Sequence, residues 1–319
     1  MTQTDFDVII IGAGPAGLTA GIYLARSKAN VLIVESSIPG GQTILTHEIA
    51  NYPGIESTSG YMLASTMKNQ AEKFGCTIKS NVKVDQIELE ADVKSVSLAT
   101  GDTFTAKAII LATGGRSKTI GVKGEDAYKG QGISYCATCD GDFFQGKEII
   151  VIGGGNSALE EAVSLTKYAS KVTILHMLDS WQAFDHAIEE MEANEKIDYR
   201  MESRIIEFKG ENGLKEVVIE DIAEGKTYTQ KIDGVFIFIG YEANTDFLHD
   251  KAVKLNDRKE ILVDADMQTN ISGVFAAGDA LAKKYRQVTT AVSDGTIAAL
   301  SALEYIHKLG LMEKRSTKQ

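Results

Sequence analysis

The chain holds 319 residues, 44% of them hydrophobic and 24% charged, which excludes intrinsic disorder and exceeds the size at which one core keeps growing, so two domains are expected. A formal net charge of −11 with no sizeable basic cluster excludes a nucleic-acid binder. Three cysteines and five histidines, none of the latter at metal-ligand spacing, argue against a disulfide scaffold or a metal site.

The start, MTQTDFDVII, has neither a basic n-region nor a cleavage site, so no signal peptide is expected. Val8 to Ala25 is free of charge over 18 residues, the length of a membrane span. Gly12, Gly14, Gly17, Gly21 and Pro15 interrupt it, and they suit a nucleotide-binding turn better, so a soluble, cytoplasmic protein is expected. Asp7 to Glu35 reads as strand, glycine turn, helix and strand. In that turn Gly12 permits the tight bend, Gly14 lets backbone approach a pyrophosphate, and Gly17 lets helix and strand pack. Glu35 stands where a carboxylate accepts from a ribose 2′-hydroxyl.

From Thr77 to Ile110 polar and apolar residues alternate, the pattern of antiparallel strands, ending in Ala108-Ile-Ile-Leu-Ala112-Thr113-Gly114. Lys147 to His176 then repeats the strand–turn–helix–strand unit, with the turn Gly153-Gly-Gly155-Asn156-Ser157-Ala158. The end of its second strand carries His176, neither the acid that suits an NAD ribose nor the arginine that suits an NADP 2′-phosphate. Seven acids (Asp179, Asp185, Glu189, Glu190, Glu192, Glu195, Asp198) follow before Tyr199, against Lys196 alone. A doubly charged phosphate meets repulsion there, so occupancy of this second turn is doubtful. A second meander spans Arg204 to Ile239, followed by the strand and turn GVFAAGDA and an apolar helix from Val288 to Leu309. The fold class is therefore α/β, with two Rossmann-like three-layer dinucleotide-binding domains, each with an antiparallel meander.

Cys136-Ala-Thr-Cys139-Asp140 carries the chemistry. Cysteines at this spacing close a small disulfide whose reduction supplies two thiols for exchange. Asp140 is placed to move the proton that thiolate chemistry releases. A zinc site would need a second ligand pair, which the chain lacks. Cys76 stands alone and reads as a small buried hydrophobe.

These motifs, with Gly40-Gly41-Gln42, Asn51-Tyr-Pro-Gly54, Ala112-Thr-Gly114, GGGNSALEEA, Ala276-Ala-Gly278-Asp279 and Tyr285-Arg286-Gln287, resemble the low-molecular-weight thioredoxin reductases over Asp7 to Ile306. The resemblance implies an FAD domain of residues 1–116 plus 246–319 and an inserted NAD(P)H-type domain of 117–245, in a homodimer. It places Gly12, Gly14, Gly17 and Glu35 on the FAD pyrophosphate and adenosine ribose and Gln42 and Asn51 near the flavin ring, and it counts Pro15, Ala16, Gly41, Ala112, Thr113 and Gly114 among the FAD-binding residues. Gly278 and Asp279 fall at the ribitol, with Arg286 and Gln287 at the flavin ring. It also implies that Cys139 faces the flavin, Cys136 attacks thioredoxin, Asp140 is the acid–base group, and the inserted domain rotates between the two tasks.

Usual members carry His-Arg-Arg-x-x-x-Arg after the second domain's second strand. Here the same place reads His176-Met-Leu-Asp-Ser-Trp181-Gln-Ala-Phe184, without an arginine, as in the NADPH-independent, ferredoxin-linked clostridial-type members. Ferredoxins are usually acidic, so Lys283, Lys284 and Arg286 are the expected docking cations. The alternatives are a conventional NADPH or NADH enzyme, and a flavin-binding sensor or electron-transfer subunit.

Overall fold

The computed structural model describes residues 4–46, 48–248 and 252–316. The chain divides into two compact units, residues 1–116 with 242–319 and residues 117–241. In the first unit the apolar run of strand Phe6–Ile11 lies at the middle of a parallel sheet, where both faces are covered. Ile9 stands in register with Leu32 of strand Val31–Val34 on one side and with Ile109 of strand Thr103–Leu111 on the other. The outer edge of Thr103–Leu111 has two partners. Its first half pairs antiparallel with Lys94–Leu98 of the meander, and its last residues pair parallel with Val274–Ala276.

Alternation then decides what each face meets. Val8, Ile10, Ile33 and Ile110 pack under helices Pro15–Arg26 and Val288–Ser316, while Ile9, Ile11, Leu32 and Ile109 pack with Ile87, Val96 and Leu98 of the meander. Each such fully buried side chain contributes about 1.5–3 kcal/mol. The two helices cross closely because Gly295 lies on Ala16, where a Cβ would come within 2.2 Å of the Ala16 carbonyl oxygen. The last helix continues to Ser316, beyond the Leu309 that the apolar pattern suggests. A glycine inside a helix costs about 1 kcal/mol, and Gly310 does not end this one.

The second unit repeats the plan. Its parallel sheet runs Ile197–Arg200, Lys171–Leu175, Glu148–Ile152, Gly234–Ile237, Ile133–Ser134. Ile149, Val151, Val172, Ile174 and Phe236 face helix Asn156–Leu165, whereas Ile150, Ile152, Val235 and Ile237 face the separate meander Ser203–Lys209, Glu216–Asp221 and Lys226–Lys231. Where the chain leaves and rejoins the first unit, Gly115–Ser117 pairs with Tyr241–Ala243, and Arg116 bridges Glu242 at 3.3 Å. Among the described residues, no helix is long and apolar enough to cross a membrane.

Candidate active site

The chemistry-bearing pair sits just past the edge strand Ile133–Ser134 of the second unit. Cys136 and Cys139 form a disulfide with their Cα atoms 5.3 Å apart. Cys136 is the extended N-cap of the single turn Ala137–Asp140, and its Sγ accepts from the Cys139 N–H at 3.2 Å. The turn brings Asp140 back toward the strand, where the Ser134 hydroxyl donates to Asp140 Oδ2 at 2.6 Å. Burial pushes the Asp140 carboxyl above its ordinary value, the Ser134 hydrogen bond pulls it back, and the Asp142 carboxylate adds to the rise. Next along the chain, Tyr135 donates to the buried Glu125 at 2.7 Å, and Glu125 also accepts from the amides of Ile120 and Gly121.

The first glycine turn is built by exclusion. Gly12 has φ +107° and touches the Ala112 carbonyl where a Cβ would stand, and a Cβ on Gly17 would fall 1.9 Å from the Gly12 carbonyl oxygen. Gly14 is the N-cap of helix Pro15–Arg26, with no side-chain cap and no acid in the first turn. Its outer side is open, a Cβ there meeting only Gly41 Cα at 4.0 Å. The result is a concave backbone cradle with unspent helix N–H groups, which suits a pyrophosphate. Glu35 braces it, accepting from the Ala13 amide at 2.8 Å and the Ser37 amide at 2.9 Å, and a carboxylate has lone pairs left for ribose hydroxyls.

Thr113 Oγ1 is buried with no hydrogen-bond partner, as expected of a group reserved for a ligand. The adjoining Thr113 and Gly114 carbonyls are held by Asn244, which no sequence motif marks. Gly278, at φ +82°, lies against Ala16, and Asp294 accepts from its amide at 3.2 Å. Burial raises the neighbouring Asp279 carboxyl and Lys283 opposes the rise. Gln42 and Asn51 are exposed, and the Asn51 amide reaches Gln287 at 3.4 Å. These residues fit FAD: an open cradle, a ribose acceptor and an orphaned hydroxyl surround one turn.

Two of the expected docking cations have internal partners. The Arg286 guanidinium pairs with the buried Glu260 and reaches the carbonyls of Asp279 and Leu281. Lys283 is also drawn inward, 2.7 Å from Asp294 and 3.4 Å from Asp279, with 17% of its side chain exposed. Of the three expected docking cations, Lys284 alone remains exposed.

In the second turn, Gly153 at φ +140° lies on the Phe238 carbonyl, and the His176 ring covers Gly154. His176 stacks on Trp181 at 5.6 Å, and Trp181 meets Tyr199 edge-on. The following loop is pinned to the turn, the Gln182 amide donating to Gly154 O at 2.8 Å and the Phe184 amide to Asn156 Oδ1 at 2.7 Å. Ser157 is exposed and Gly155 half-buried beside Gln182. The large apolar side chains this loop presents are Met177, Leu178 and Phe184, and Asp179, Ser180 and Gln182 are exposed beside them. The nearest guanidinium in sequence, Arg200, is engaged by Tyr228 and Gln230. Among the described residues no cluster of three or more His, Cys, Asp or Glu is arranged to hold a metal.

The sequence profile of the pyridine nucleotide-disulphide oxidoreductase family matches residues 6–295. A thioredoxin reductase of Peptoclostridium acidaminophilum is 41% identical over 308 residues, covering 94% of this chain and 97% of that protein. A 34.2 kDa protein in the rubredoxin operon of Clostridium pasteurianum is 42% identical, covering 95% and 98%. The crystal structure of thioredoxin reductase from Streptococcus pyogenes MGAS5005 superposes with a TM-score of 0.91 at 39% identity, covering 95% of this chain and 98% of that one.

Proposed function

The chain belongs to the pyridine nucleotide-disulphide oxidoreductases and within them to the low-molecular-weight thioredoxin reductases, and we propose that its electron donor is reduced ferredoxin rather than NADPH. It is an FAD-dependent thioredoxin-disulfide reductase with a redox-active disulfide. The observation that carries the donor reading is the loop 177–184, which holds no cation where a 2′-phosphate needs one. The acids of helix Asp185–Glu192 follow directly and add repulsion. With Lys283 and Arg286 engaged internally, docking of an acidic partner falls to other surfaces than the one their spacing suggests.

The residues divide the work as follows. When bound, FAD would pass on to the disulfide the two electrons it receives from the donor. Gly12, Gly14, Pro15, Ala16, Gly17 and Glu35 would hold its pyrophosphate and ribose, Gly41, Ala112, Thr113, Gly114, Gly278 and Asp279 would line the rest, and Gln42, Asn51 and Gln287 would lie toward the ring end. Cys139 is the sulfur attacked within the protein and Cys136 the one that attacks thioredoxin. Asp140 takes the proton from one thiol and gives it to the departing sulfur.

The intact turn at Gly153, Gly155 and Asn156 favours a second reading, NADH as donor, because NADH has no 2′-phosphate and needs no arginine. Anaerobic titration of the yellow protein separates the two. Bleaching by reduced ferredoxin and by neither nucleotide is the expected result, while bleaching by stoichiometric NADPH or NADH overturns the ferredoxin assignment. The protein is also taken as a homodimer, for which sedimentation velocity is the test.

A further inference from the structure

Beside the disulfide stands a hydroxyl that the reaction above does not use. Ser134 ends the edge strand of the second sheet and is 4% exposed. Its Oγ makes two bonds at once, donating to Asp140 Oδ2 at 2.6 Å and accepting from the Cys136 N–H at 3.1 Å. The Cys136 carbonyl lies at 3.3 Å, but one hydroxyl hydrogen serves one acceptor well, and the shorter bond goes to the charged group. The strand cannot drift, because Tyr135 is fixed to Glu125 and Glu125 to two backbone amides.

The geometry points to Ser134 as a positioning residue for thiol–disulfide exchange, tying the Asp140 carboxyl to the backbone of Cys136 and holding it in its proton-accepting form. The inference rests on the reading of Asp140 as the acid–base group. In the step it serves, the Cys136 thiol gives its proton to Asp140 as its sulfur bonds to one sulfur of the thioredoxin disulfide. The thioredoxin S–S bond breaks, and the leaving sulfur takes the proton from Asp140. The Cys139 sulfur then bonds to Cys136, the mixed disulfide breaks, and the second thioredoxin sulfur leaves with the Cys139 proton. The two thiols of this chain supply two electrons and two protons, thioredoxin becomes a dithiol, and Asp140 ends as the carboxylate it began.

Asp140 must therefore start ionised. A buried carboxyl favours its neutral form, and a hydrogen bond donated to the carboxylate opposes that. Burial already raises Asp140, and Ser134 is the group that pulls it down. Without the hydroxyl, less Asp140 is ionised at any given pH, so the rate falls on the acid side and recovers as pH rises.

The test uses the full-length FAD-loaded protein, reduced anaerobically with dithionite and mixed with oxidised thioredoxin in single-turnover experiments across pH. Ser134→Ala is expected to run about tenfold slower at the acid end and within about twofold of the parent at the alkaline end. Ser134→Thr, which keeps the hydroxyl, restores the parent profile. A Ser134→Ala profile that superposes on the parent, or a uniform loss that Ser134→Thr does not restore, overturns the assignment. Asp140→Asn separates the two layers of the argument. Slow exchange at every pH is expected, and parent-like exchange overturns the acid–base reading on which the inference stands.

Discussion

Cys136 and Cys76 have the same side chain and opposite surroundings. Cys76 is buried against the helix Pro15–Arg26, where Gly21 leaves it room, and burial pushes its thiol up to about 11. At pH 8 its thiolate fraction is on the order of a thousandth. Iodoacetamide at that pH is expected to modify Cys136 and Cys139 in the reduced native protein and to reach Cys76 only after denaturant is added, as peptide mass mapping checks. Cys136→Ser removes the attacking sulfur, so turnover with oxidised thioredoxin is expected to vanish while the flavin spectrum persists. Lys283 teaches a different lesson. Its spacing to Lys284 and Arg286 suggests a basic face, yet its partners are Asp279 and Asp294. Asp294 is 11 residues away on another element, and nothing local in the sequence announces the pairing. Removing one partner of such a buried pair costs about 3–5 kcal/mol. Lys283→Ala is therefore expected to lower the melting temperature by roughly 10 °C and to weaken FAD retention, measured by flavin fluorescence after gel filtration.

At the scale of the element, the two glycine turns were the most legible parts of the chain, because steric exclusion is local. A Cβ at position 17 collides with the Gly12 carbonyl whatever the rest of the fold does. Gly17→Val is accordingly expected to yield colourless protein. The strands were legible for a similar reason, their apolar runs matching burial on both faces. The loop after the second turn was legible only by what it lacks. Its pinning uses the Gln182 and Phe184 amides, backbone donors that any residue but proline carries, and of the two acceptors only the Asn156 side chain is specific to its residue. Restoring charge there should restore a phosphate site: with Met177→Arg, Leu178→Arg and Gln182→Arg combined, affinity for NADPH over NADH is expected to rise by about tenfold or more, since each charge-assisted bond contributes about 1.5–3 kcal/mol. Equal binding of the two nucleotides by this variant, followed by protein fluorescence, counts against the donor assignment.

For the whole molecule, the division into two units implies two cores, each with its own sheet and helix layer. Only the first contains the cradle that fits FAD. A ligand that binds one folded unit raises that unit's stability by mass action and leaves the other alone. Scanning calorimetry is therefore expected to show two transitions, of which one moves upward with added FAD and the other does not. A single transition moving as a whole contradicts this. The outline of both domains was legible in the duplicated strand–turn–helix pattern. Asn244 and Asp294 were not, because each acts on a segment that the fold brings near, and Ser134, though two residues from the motif, shows its bond to Asp140 only once the turn has folded.

The close seat of Gly295 on Ala16 sets an order of events during synthesis. Residues 117–241 leave the ribosome complete, while the first unit still lacks the helix that covers Val8, Ile10 and Ile33 and presents Asp294 to Gly278. Domains fold as units when their last element emerges, so the inserted domain matures first inside an unfinished host. Helix Val288–Ser316 is translated after residues 117–241, so the first unit can close around a cofactor only once that helix has followed the inserted domain out.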